Sequence, residues 1–273
     1  ATIAYSPQSK REKRPAGPTA REMVLDKRHR PIYFLTVVFT THFSCRRSDR
    51  LPVMDANHPA SRYTRAEEIA NSLTHGIGAV LAIAGLAVLT AFAAVYGNGW
   101  HIVSSAVFGA ALILLYLAST LYHAVHHPRI KPILRILDHS AILVLIAGTY
   151  TPITLVSLRG PWGWSLFAVI WGLALAGIVM ETTRLRRFRA VLIGLYVVMG
   201  WSVVAAVKPM LANVEPGGLW LLLAGGLAYT GGIGFYLWRR LPYNHAIWHL
   251  FVLAGSILHY FAVLFYIIPV MAD

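Results

Sequence analysis

The sequence predicts an all-α integral membrane protein: a seven-transmembrane helix bundle with its N-terminus inside and its C-terminus outside. Composition is the first reason. Of 273 residues, 57% are hydrophobic and 13% charged, and the mean hydropathy is +0.59. A soluble domain has about 45–50% apolar and about 25% charged residues. The second reason is a series of seven long apolar runs after Ile69, each near the roughly 20 residues a helix needs to cross about 30 Å of hydrocarbon. The third is the uneven share of basic residues among the segments that separate them.

Residues 1–66 differ from the rest. They carry thirteen Lys or Arg and five Asp or Glu, with scattered Pro and Ser, and read as a basic, disordered cytoplasmic arm. The apolar stretch Pro31 to Phe39 is too short to span, and no clear small-residue cleavage site follows it as in a signal peptide. The chain opens on Ala1, and Met54 precedes a more natural-looking start, so the arm is either native throughout or partly an extension.

Residues 67–273 form the seven-span domain. The predicted spans cover 70–95, 101–123, 136–157, 163–180, 190–207, 217–238 and 246–269. The separators are short and rich in Pro, Gly and charge. The second, fourth and sixth loops hold nine basic residues: Arg129, Lys131, Arg135, Arg184, Arg186, Arg187, Arg189, Arg239 and Arg240. The first, third and fifth hold two, Arg159 and Lys208. Positive charge stays on the cytoplasmic side, which orients the chain. Thr151–Pro152 predicts a kink in the third span. Gly225, Gly226, Gly231, Gly232 and Gly234 crowd the sixth, at spacings that serve close packing or a hinge. Trp100, Trp162, Trp164, Trp220 and Trp238 fall near span ends, as an interfacial belt does.

Several function classes drop out. A net charge of +13 in a soluble protein points to nucleic acid; here the charge lies in the arm and loops, so no nucleic-acid partner is expected and membrane lipids are. The single cysteine, Cys45, makes neither an internal disulfide nor a thiolate metal cluster. A retinal Schiff base needs a lysine, and none follows Lys208.

The polar residues of the spans carry the chemistry. Only four acidic residues follow Glu68, and Asp138 alone begins an apolar span. An ionisable group at membrane depth is a functional candidate, with a helix N-cap as the plain alternative. His245 and His249 are spaced i, i+4, so both rings project from one helix face. Ser119 and His123 have the same spacing at the end of the second span. Chain parity puts the end of span two and the starts of spans three and seven at one membrane face. Three imidazoles then converge, with Asp138 and Ser119 beside them. Such a set matches a zinc site with an open position, so His123, His245 and His249 are the expected ligands of Zn²⁺. Asp138 is expected to orient a water and accept its proton, or else to ligate directly; Ser119 is expected to bond the water or a substrate carbonyl. Glu68, Asn71 and His75 open the first span near the same face and are candidates to hold the ligands by hydrogen bonds, or to cap and pack. His259 lies fourteen residues beyond His245, about 21 Å along a helix, too far to share the metal. His139 points roughly 100° away from Asp138 around the helix, and His101 belongs to the opposite interface.

These pieces resemble the haemolysin III family, the bacterial branch of the progestin and adipoQ receptor superfamily. The resemblance covers about residues 67–270 and rests on Glu68–Asn71–His75, Ser119 and His123 followed by Asp138, and His245 with His249, together with stretches such as EEIANSLTHGIG and HAIWHLFVLAGSILHY. It implies a multi-pass protein of the bacterial inner membrane, zinc on the three histidines, and Asp138 and Ser119 beside its water. Since the superfamily is similar to alkaline ceramidases, it also implies a hydrolase of lipid amide or ester bonds at the cytoplasmic leaflet. A membrane-homeostasis regulator with structural zinc, or a cytolytic membrane protein, are the alternatives.

Overall fold

A computed structural model describes residues 63–269. The arm through residue 62, with the Pro31 to Phe39 stretch and Cys45, lies outside the described residues. Seven helices are long and apolar enough to cross a membrane: Arg65–Tyr96, Gly99–Ala124, Lys131–Ser157, Pro161–Thr182, Arg189–Asn213, Pro216–Leu237 and Asn244–Ile267. They are spans one to seven below. No strand occurs among the described residues. The shortest two have 22 residues, about 33 Å at 1.5 Å per residue, enough for the hydrocarbon layer.

Each span starts where the local sequence lets it. Thr64 caps span one in a reciprocal box: the Glu67 amide donates to Thr64 Oγ1 at 3.2 Å and the Thr64 amide to Glu67 Oε2 at 2.8 Å. This puts the helix start at Arg65 and leaves Tyr63 against the bundle. Pro161 and Pro216 begin spans four and six, where a missing N–H costs nothing. Span three begins at Lys131, so Asp138 lies seven residues inside the helix and does not cap it. The second Glu67 oxygen accepts the Tyr243 amide at 3.1 Å. Tyr243 takes a left-handed φ of 56°, unusual for a bulky side chain, and turns the chain into span seven. Asn244 completes that corner by donating its side-chain amide to the Phe235 and Tyr236 carbonyls at the end of span six.

Three spans depart from regular helix, span seven by a π turn over Val263–Ile267 at its end. Past Pro152, which has no amide proton to give, span three widens into a π turn over Ile153–Ser157, closed by Leu158 N–H on the Ile153 carbonyl at 2.9 Å. Span five tightens into a 3₁₀ turn over Ser202–Ala206 and then continues through Lys208 to Asn213, six residues past the limit read from the sequence. There Lys208 lies within the helix and not in a loop.

The core is apolar and runs between the spans. Tyr116, Phe108, Leu143 and Ile170 are fully buried in it. Large apolar side chains such as Val80, Val95 and Val198 are exposed on the bundle's outside, where lipid would cover them. Of the predicted belt, Trp162, Trp164, Trp220 and Trp238 are exposed, and Trp100 packs edge-on against Trp164 with Arg159 over its ring at 4.5 Å. In span six the glycines divide. A Cβ on Gly225 or Gly232 would strike span seven at 2.3 and 2.7 Å, while Gly234 faces open space.

Candidate metal centre

Two spans bring the histidines together. His123 closes span two, and His245 and His249 occupy the first two turns of span seven. All three are buried, at 1%, 7% and 0% exposure. One ring nitrogen from each lies within 4.8 Å of the others. Tetrahedral zinc with nitrogens at about 2.0–2.1 Å holds them about 3.3 Å apart. The trio therefore needs a closing movement of at most about 1.5 Å, within the reach of small side-chain adjustments.

The protonated faces of the rings are fixed from outside their own helices. The Nδ1–H of His123 donates to Glu68 Oε2 at 2.6 Å, and Lys131 Nζ holds the other Glu68 oxygen at 2.9 Å. The Nδ1–H of His249 donates to the Asn71 carbonyl at 3.1 Å, with Thr74 Oγ1 equally near. His245 Nδ1 meets the Tyr63 hydroxyl at 3.1 Å. A proton on Nδ1 puts the lone pair on Nε2. The Nε2 atoms of His123 and His249 are buried and have no hydrogen-bond partner among the described residues. A buried nitrogen without a partner is costly, and a cation among the three would remove the cost. The donor set, its burial and its tautomers thus fit a metal ion, and carboxylate and carbonyl anchors behind ligating histidines are the usual support of such sites.

The remaining predicted residues are placed as follows. Ser119 is fully buried, one turn before His123, and its Oγ has no partner among the described residues. Asp138, 5% exposed, lines one chamber with His245 and Trp248 and a second with His75 and Trp248. Glu68 and Asn71 touch His123 and His249 as described. His75 stacks on His249 with centroids 3.5 Å apart and an 11° tilt, and neither of its nitrogens has a partner among the described residues. His139 turns back along its helix: its Nδ1 donates to the Arg135 carbonyl at 2.9 Å and lies 3.5 Å from Asp138 Oδ2. The 100° helical offset separates the two Cβ directions but not the ring and carboxylate tips. His259 donates Nδ1–H to the Gly255 carbonyl at 2.9 Å, and His101 joins the cap of span two.

Sequence reasoning missed Tyr63, Thr74 and Lys131. The Thr64 to Glu67 capping box was a signal for an earlier helix start, and with it for Tyr63 beside the core. Nothing local marked Thr74 or Lys131, whose partners are 175 and 63 residues away.

A cavity of about 120 Å³ leads from Asp138 and His75 between spans three, five, six and seven to His259. Apart from those ends and a few hydroxyls its wall is apolar, with Leu145, Ile146 and Val252 among the lining residues.

Fold and site together define a seven-span membrane protein with a buried histidine trio at one end of the bundle. Residues 63–260 match the family model described as "Haemolysin-III related". The chain is similar to "Hemolysin-3" of Bacillus cereus, 51% identical over 203 residues, 74% of this chain and 93% of that protein. It is also similar to "Hemolysin-3 homolog" of Bacillus subtilis (strain 168), 50% identical over 208 residues, 76% and 98% of the two chains. A more distant relative is the human "Monocyte to macrophage differentiation factor", 31% identical over 219 residues, 77% and 90% of the two. The chain belongs to the haemolysin III family and is a multi-pass bacterial membrane protein.

Proposed function

We propose that this protein is a zinc-dependent hydrolase of a lipid amide or ester, working at the cytoplasmic leaflet with its N-terminus inside and its C-terminus outside. The observation that carries the reading is the pair of buried Nε2 atoms on His123 and His249, without a partner among the described residues, beside His245, with Asp138 on the wall of the adjoining chambers. Imidazole donors with no thiolate suit zinc. When bound, zinc supplies a Lewis acid that polarises a carbonyl and readies a water at neutral pH. Asp138 takes the water's proton and passes it to the leaving amine or alcohol. Ser119 donates a hydrogen bond to the carbonyl oxygen, and the apolar cavity takes up acyl chain. Orientation rests on the basic residues of the loops and span ends, nine at the histidine end of the bundle against Arg159 and Lys208 at the other.

The test is Asp138→Ala with metal content and turnover measured together. A positioned general base contributes about 10²–10⁴-fold, so turnover of an amide or ester lipid should fall by that factor with metal and fold retained. Stoichiometric zinc in the wild type, without turnover of any lipid in a broad panel, removes the hydrolase reading. A second reading, a membrane regulator with structural metal, is favoured by the trio's near-complete burial. It predicts unchanged function in Asp138→Ala.

A further inference from the structure

The histidine end of the bundle also holds an open basin of about 540 Å³ whose lining, among the described residues, consists of five arginines. Arg135 stands on the second turn of span three. Arg184, Arg186 and Arg187 stand on the 3₁₀ turn after span four, and Arg189 is the first residue of span five. None of the five has an ion pair among the described residues; Arg187 lies over the Phe188 ring at 4.8 Å. Membrane orientation explains positive charge at this end of the bundle. It does not explain why five guanidinium groups surround one hollow, where they repel one another. Arg129, Arg239 and Arg240 serve orientation as well and line no part of it.

The basin shares part of its wall with a chamber that reaches the candidate metal centre. Arg135, Arg186 and Arg189 also line a chamber of about 50 Å³ that reaches Asp138 and His245. Asp138 and Tyr196 belong to that chamber and to the apolar cavity that ends at His259. Basin, chamber and apolar cavity are therefore neighbours that share lining residues, with His245 on the wall of the chamber between them. Two carboxylates, Asp138 and Glu181, line the chamber against five guanidinium groups around the basin, which leaves three positive charges in excess (five minus two). Guanidinium forks match phosphate oxygens in pairs, and several around one hollow select a multiply charged anion.

We propose that this basin binds a phosphate-type anion, either the headgroup of an anionic lipid or a free phosphate. In naming the headgroup class of the substrate it rests on the hydrolase reading; the anion site itself does not. Full-chain protein in neutral detergent at physiological salt is titrated with three probes: short-chain phosphatidic acid, short-chain phosphatidylcholine and inorganic phosphate. The variants are Arg184→Gln/Arg186→Gln/Arg187→Gln in the basin and Arg129→Gln/Arg239→Gln/Arg240→Gln outside it, equal in charge removed. The basin variant should bind phosphatidic acid or phosphate at least about tenfold more weakly than the wild type, and the outer variant within about twofold of it. Phosphatidic acid binding that phosphate does not displace assigns the lipid headgroup; binding of phosphate assigns the bare anion. Equal weakening in both variants, phosphatidylcholine bound as well as phosphatidic acid, or no binding of either anion to the wild type overturns the proposal. If the basin variant does not fold, Arg186→Lys/Arg187→Lys keeps the charge and removes the forks; unchanged binding there also overturns it. Zinc and turnover measured on the same samples keep the two readings apart, because a protein that binds the anion and hydrolyses nothing loses the hydrolase and keeps the basin.

Discussion

Span seven carries three buried histidines, and its two ends treat them differently. His259 donates Nδ1–H to Gly255, one turn back in its own helix, and rests beside Tyr229 with ring centroids 5.4 Å apart. His249 sends its Nδ1–H to a carbonyl of span one, and its Nε2 is left facing His123 and His245. The difference shows that burial alone does not make a ligand. An imidazole satisfied within its own turn is a finished structural group. One anchored by another helix has its second nitrogen aimed, and the anchor fixes both tautomer and direction.

The largest effect that bears on this contrast is loss of metal. Alanine at His123, His245 or His249 should take metal content from near stoichiometric to background, while His259→Ala keeps it; elemental analysis of purified protein reads both. Equal metal in His249→Ala and His259→Ala erases the distinction between the two ends.

Acid should empty the site in the unaltered protein. Only neutral imidazole ligates, so protons compete with the metal as pH falls through the histidine range, about 6.5 for an unperturbed ring. The sign follows: any stability that bound metal gives is present at neutral pH and disappears on acidification. Dialysis at stepped pH followed by elemental analysis measures it. Metal held unchanged at pH 4 contradicts three histidine ligands.

A smaller change should come from Glu68→Gln. The neutral amide accepts a weaker hydrogen bond from His123 and no longer pairs with Lys131. Loss of such a support typically costs about 10–100-fold in metal affinity, which chelator competition resolves. An affinity equal to the wild type means the 2.6 Å contact only packs the two helices.

Much of this contrast is written in the sequence. The i, i+4 pair at His245 and His249 is a local pattern, and chain parity carries His123 to the same end without knowledge of packing. The seven spans follow from length and hydropathy. What escapes is set by docking across the bundle. Tyr63 reads as the tail of a polar arm, because its contact with His245 spans 182 residues. Asp138 looks like the start of a span because the charged turn before it, from Lys131 to Arg135, resembles a loop; in the structure that turn is helix, and it supplies Lys131 to Glu68 and Arg135 to the basin. The continuation of span five past Lys208 is hidden for the same reason, since one lysine and one proline mask a final helical turn and a half. Charges near helix ends mark the helix boundary poorly.

The smallest effect comes from the His259 end. A Cβ at Gly225 would stand 2.3 Å from His259 Nδ1 and 3.2 Å from the Gly255 carbonyl. The ring has to swing off that carbonyl, or spans six and seven have to part. Overpacking of this kind costs about 1–3 kcal/mol, partly offset by the roughly 1 kcal/mol by which alanine exceeds glycine as a helix former. Gly234→Ala, with nothing within 4 Å, keeps only the gain. Thermal unfolding in detergent should therefore show Gly225→Ala a few degrees below the wild type and Gly234→Ala at or slightly above it, both with full metal. A Gly225→Ala protein that folds yet has lost its metal would mean that the His259 end sets the geometry of the ligand trio, and that the two ends of span seven act as one unit.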